Sequence, residues 1–253
     1  MLKGLDEIDW ASVRHFNGPA TDVPKLLRDL ISTDKKTQSL AIHQLFGTIW
    51  RHGKVYPATA KAVPFLYEIL GNPACSERFS ILWLLGAIAK AISPAQVSTS
   101  ESKNGVEPET LWAKNAHGAV RQGVETVLDL LGEADKDLRL PAILLLASFP
   151  EDAARITPVL SSVLLNEKNA EARAGLGLAL ALLGDFHFEA FRSENKKLPL
   201  VLIETLAKAC AQDEGMRATA HQTIQDCLLV TVSQEDQDWL RDEKELLDSI
   251  NLN

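Results

Sequence analysis

Four apolar helical segments carry a proline near their start, and they recur at nearly fixed intervals. They are Val23-Pro24-Lys25-Leu26-Leu27, Val63-Pro64-Phe65-Leu66, Thr157-Pro158-Val159-Leu160 and Leu198-Pro199-Leu200-Val201. Proline is tolerated at the first helical position, because the N–H it lacks would have no intrahelical partner there. The step is 40 residues from Pro24 to Pro64 and 41 from Pro158 to Pro199; the 94 between Pro64 and Pro158 leave room for two repeats and an insertion. A fifth segment, Val120 to Leu131, keeps the apolar pattern without a proline. A unit of this length cannot bury both of its faces alone, so neighbouring units must stack to build a core.

Each opening helix is followed by a polar turn and a second apolar helix. At three turns an Asp or Asn precedes an Arg by four residues: Asp135 and Arg139, Asn169 and Arg173, Asp213 and Arg217. The first repeat has the weaker pair Asp34 and Gln38. The acid or amide would cap exposed helix N–H groups. The residue one turn later would bridge to the next repeat, giving the turns a polar ladder. Small residues, as in Ala172-Arg173-Ala174-Gly175-Leu176-Gly177, would let stacked helices approach closely.

Helix pairs of this length, with a proline in the first helix and Asp-to-Arg at the turn, resemble the HEAT repeat over residues 20–232. The resemblance implies an all-α fold, a right-handed α-solenoid of about five helix pairs with helical caps, as one domain over residues 1–253. Residues 1–20 would form the N-terminal cap, with an amphipathic helix over 5–16 carrying Leu5, Ile8, Trp10, Val13 and Phe16. Residues 21–232 would hold the repeats, and 233–253 a charged capping helix with Ser233 at its N-cap. No strand alternation is expected anywhere. The polar, turn-rich stretch at 93–115 reads as an insertion loop, either functional or disordered.

Composition narrows the function classes. The formal charge is −8, which argues against general nucleic-acid binding, since that needs a basic footprint. The charge is uneven: residues 1–120 hold 13 Lys/Arg against 11 Asp/Glu, and residues 121–253 hold 13 against 23. An acidic second half either solubilises helix faces or meets a basic partner. Cys75, Cys210 and Cys227 are scattered and make no CxxC pair, so a reducing compartment fits. With no apolar run long enough for a membrane span and acids near Met1, the expectation is a cytoplasmic protein without membrane contact.

The N-terminal third has a more particular vocabulary. It reads His15-Phe16-Asn17-Gly18-Pro19-Ala20-Thr21 before the first repeat and Trp50-Arg51-His52-Gly53-Lys54-Val55-Tyr56-Pro57-Ala58-Thr59 before the second. Residues 5–70 resemble a bacterial HEAT-repeat family with a Gly-Pro-Ala turn and a His-Gly-x-x-Tyr-x-Ala-Thr joint. HEAT-like proteins recur among immunity proteins that bind and block cognate toxins. The resemblance therefore implies a protein-binding module and transfers no catalytic residue. Read physically, Gly53 permits a turn, Thr59 caps the next helix, and Trp50 and Tyr56 pack across the repeat seam. Alternatively, Trp50, His52 and Tyr56 form an exposed patch for a partner, since aromatics concentrate at binding hot spots.

A search for chemistry finds none. The six histidines, His15, His43, His52, His117, His187 and His221, include no pair at metal-ligand spacing. No phosphate-binding glycine loop or nucleophile elbow occurs. No catalytic residue, metal or cofactor is therefore assigned. His187, between Phe186 and Phe188, reads as a loop anchor or a partner contact. Asp213 and Glu214 would join a binding rim at their turn. The expected function is a non-catalytic protein–protein interaction solenoid, in its most specific form an immunity protein that occludes a basic toxin domain. A HEAT-like DNA glycosylase and a regulatory or assembly scaffold are the alternatives.

Overall fold

The computed structural model describes residues 2–91, 108–132 and 135–168, with 172, 175–176, 179–180 and 183. Expectations that fall on Pro199, Asn169, Arg173, Arg217, Cys210, Cys227, His221 and the C-terminal cap lie outside the described residues. The described chain is mainly helical, and it divides into two compact units, Met1–Thr126 and Val127–Asn253. Among the described residues, no helix is long and apolar enough to cross a membrane.

The first unit begins without the expected helix over 5–16. Only Leu5–Glu7 winds, as a single 3-10 turn, and the chain then folds into a short hairpin of β1 (Arg14–His15) and β2 (Gly18–Pro19). The Asp9 carboxylate accepts from the N–H groups of Ala11 and Ser12, offering the backbone an alternative to helical bonding. Trp10 and Val13 are buried, and the Trp10 indole N–H donates to the Leu5 carbonyl, 2.9 Å away. The apolar residues thus reach the core from turns.

Two helix pairs follow: α1 (Val23–Asp29) with α2 (Lys35–Thr48), and α3 (Pro57–Leu70) with α4 (Arg78–Ala89). Within this unit α1 packs on α3 and α2 on α4, so first helices meet first helices and second meet second. Residues Ile81 to Ala89 of α4 are buried on every side, as expected of a helix apolar all round. A second hairpin, β3 (Trp50–Arg51) with β4 (Lys54–Val55), separates the pairs. Both hairpins depart from the expectation of no strands: each is two residues per strand, too short to show alternation in sequence.

Helix α5 (Pro108–Arg121) packs on α3, α4 and β4, and α6 (Val124–Leu130) follows it. The expected loop at 93–115 is therefore corrected, because residues 108–115 belong to α5; residues 92–107 lie outside the described residues. The fifth repeat segment is interrupted too, since the chain turns at Gln122 and Gly123 between α5 and α6. The second unit contains α7 (Arg139–Leu146) and α8 (Ala153–Asn166). Residues Pro141 to Leu146 of α7 are all buried.

The prolines do not all mark helix starts. Pro24 lies in the first turn of α1, but α3 opens at Pro57, and Pro64 and Pro158 sit inside α3 and α8. Both internal prolines are exposed, so water can reach the carbonyl that each leaves without a helical donor.

The polar ladder at the turns forms in two places. Gln38 is buried, donates from Nε2 to the Ser32 carbonyl (2.6 Å), and accepts at Oε1 from the Ser76 N–H (2.8 Å) and hydroxyl (2.7 Å). It therefore ties the first pair's turn to the second's. Arg139 donates to Glu167, 28 residues on, at 2.9 Å. Asp34 caps α2 as expected, accepting from Lys36 and Thr37 N–H. The Thr37 hydroxyl, then those N–H groups, hold its carboxyl below the usual range. Asp135 accepts instead from the Asp137 N–H ahead of α7. Gly175 lies so close to the second unit's Leu140 that a Cβ there would sit 2.6 Å from Leu140 Cδ1, the close approach expected of small residues.

Candidate interaction surface

The two hairpins, one ahead of each of the first two helix pairs, meet side by side. The Phe16 N–H donates to the Thr48 carbonyl at the end of α2 (3.0 Å), placing the tip of the first hairpin against the start of the second. The turn between β3 and β4 is His52-Gly53, with φ of 49° and 77°. Two consecutive positive φ values are the signature of a type I′ turn, whose twist matches that of the strands. Glycine adopts this freely, and histidine is among the few other residues enriched there.

The first hairpin is pinned from below by His15. Its Nδ1 accepts the Asn17 N–H (3.0 Å), so its Nε2 carries the proton and donates to Asp22 (2.7 Å). The ring is 5% exposed and serves as a joint. Asp22, the residue before α1, spends its carboxylate on His15 and makes no side-chain cap. At the second joint the Tyr56 N–H donates to Thr59 Oγ1 (2.9 Å), while the Thr59 hydroxyl donates to the Ile49 carbonyl. Thr59 thereby caps α3 and ties it to the end of α2.

Strand alternation sorts the side chains. His15, Trp50 and Val55 point inward and are buried; Arg14, Phe16, Arg51 and Lys54 point outward and are exposed. Phe16 keeps 46% of its surface exposed while packing edge-on against Tyr56, with ring centroids 6.1 Å apart. The Arg51 guanidinium lies over the Phe16 ring, 4.4 Å from its centroid. An exposed cation–π contact contributes about 0.5–1 kcal/mol. Arg51 also stands directly across the ladder from Lys54, and like charges in that position oppose pairing. Neither hairpin contains an acid, and among the described residues Arg14 and Arg51 have no ion-pair partner.

The three residues expected as one patch are therefore divided. Trp50 is 4% exposed and packs edge to face on Phe46, offering no surface to a partner. His52 is exposed at the turn, and Tyr56 is half-buried behind Phe16. His187, Asp213 and Glu214 lie outside the described residues. Sequence reasoning alone misses Phe16, which it places on a helix face, and Arg51. The signal for the reversal is Gly18, which closes the Phe16-Asn17 turn at a φ of 131° that other residues rarely adopt.

Among the described residues, no group of three His, Cys, Asp or Glu side chains comes together to hold a metal. His117 bonds the Ala89 carbonyl at the end of α4 (2.8 Å), and Cys75 is buried, with burial pushing its thiol pKa up. No family model, curated protein or solved structure matches the chain.

Proposed function

We propose that this protein is a non-catalytic binding module of the helical-repeat type, a solenoid that docks a partner protein on the outer face of its N-terminal hairpins. The observation that carries the reading is the contact of Arg51 and Tyr56 with the exposed Phe16 across two successive hairpins. Aromatic and arginine side chains on a rigid scaffold are what binding hot spots are made of. The stacking of α1 on α3 and α2 on α4 within the first unit supports the repeat architecture, as do the polar rungs between turns. The toxin-blocking form of this function rests on the family resemblance and on the acidic residues 121–253.

The test is affinity capture by the tagged full chain at moderate salt, with Phe16→Ala/Arg51→Ala as the comparison. One stoichiometric partner, lost with the double variant, supports the reading. If that partner is toxic alone and harmless on co-expression, the immunity form follows. Capture that ignores the double substitution would remove the hairpins from the interface, and an empty capture from wild type would count against a binding module.

A further inference from the structure

The hairpin face differs in sign from the chain that carries it. The whole molecule is at −8, yet every charged side chain on the two hairpins is cationic: Arg14, Arg51 and Lys54, with His52 between them at the turn. Asp22, at the start of α1 beside the first hairpin, is engaged by His15 at 2.7 Å. Among the described residues Arg14 and Arg51 have no ion-pair partner, so each can take an anion from outside. Beside this cluster Phe16 keeps nearly half its surface open, so the face combines charge with an apolar contact.

We infer that the two hairpins recognise an acidic peptide segment of a partner protein, with carboxylates on Arg14 and Arg51 and an apolar side chain on Phe16. This rests on the proposed binding-module reading and specifies the partner's chemistry. Carboxylates fit the planar fork of arginine, which takes them in pairs. The same face is a poor phosphate-backbone track. Nucleic-acid affinity is built from many neutralised phosphates, and a few cations on a chain of net charge −8 supply little of it. The basic partner expected from residues 121–253 is complementary to a different part of the sequence.

The experiment uses the full chain and a fluorescent twelve-residue peptide of Asp and Glu with one central phenylalanine, read by anisotropy. A peptide with Lys in place of every acid and a duplex DNA oligonucleotide are the comparisons. The acidic peptide should bind, weaken as salt rises, and outcompete both others. Arg14→Ala and Arg51→Ala should each weaken it by up to about fivefold, the range of exposed ion pairs. The double reversal Arg14→Glu/Arg51→Glu should transfer preference to the lysine peptide. These positions are exposed, and circular dichroism with the thermal midpoint checks that each variant folds.

No acidic-peptide binding, binding unchanged by the double reversal, or tighter binding of the duplex would overturn the inference. A captured partner that depends on Phe16 and Arg51, together with no acidic-peptide binding, overturns the acidic chemistry and leaves the binding-module reading standing. Failure of both experiments removes both.

Discussion

Gly123 is set by the ring of Tyr67. A Cβ at that position would lie 2.2 Å from Tyr67 Cζ and 2.3 Å from Cε2, well inside van der Waals contact. The ring has little freedom to retreat, because its hydroxyl donates to the Val120 carbonyl at 2.8 Å. Gly123→Ala should therefore cost roughly 2–3 kcal/mol, measured by urea denaturation. In a Tyr67→Ala background the same change should cost almost nothing, and equal costs in both backgrounds would refute the steric explanation. Tyr67 also carries a pH prediction. Burial raises its hydroxyl pKa above the ordinary tyrosine value, so the folded state holds the proton that the unfolded chain releases. That contribution is fully present below about pH 10 and is lost as the pH rises above it. Between about pH 9 and about pH 11 the urea midpoint of wild type should fall more steeply than that of Tyr67→Phe. Parallel slopes would show that the hydroxyl does not titrate with unfolding.

Among the elements, the turns hold the pairs together by buried amide and guanidinium groups. Gln38 satisfies the Ser32 carbonyl and both donors of Ser76, and buried Arg78 donates from Nε to the Leu70 carbonyl at 2.7 Å. Gln38→Ala should destabilise by about 1–2 kcal/mol, since it truncates a buried side chain and removes the three hydrogen bonds that tie the two turns. Arg28→Ala removes only an exposed ion pair to Asp6 and should cost about 0–1 kcal/mol. A reversed ranking in denaturant midpoints would mean that the rung is not a structural tie. The helical content and the turn at Asp34 were legible because apolar periodicity and an N-cap are local signals. The ends of the helices were less so. Proline reads as a start signal, yet Pro64 and Pro158 are tolerated inside helices because they face water. The hairpins escaped for a different reason. Two residues per strand carry no period, so Phe16 read as the apolar face of a helix. Gly18 and Gly53, both at positive φ, are the local marks of the two reversals.

At the scale of the whole molecule, charge is the property that sequence alone distributes unevenly. Residues 1–132 hold 14 Lys/Arg against 13 Asp/Glu, so they stand at +1 and the remainder carries −9. If the hairpins bind acidic segments, that excess acts against them at long range, because an anionic peptide approaches a net anionic chain. The repulsion reaches about 30 Å at 0.01 M salt and about 8 Å at physiological ionic strength. A chain of residues 1–132 contains all of the first compact unit together with the whole of α6, and exceeds the size at which a single core sustains itself. Once circular dichroism and a cooperative melt show that this fragment folds, it should bind the acidic peptide more tightly than the full chain at low salt. The two affinities should converge as salt screens the field, with most of the difference in the association rate. Equal affinities at low salt would mean that the acidic half leaves the hairpins' field unchanged. A persistent gap at high salt would point to a short-range effect of residues 133–253 on the face itself.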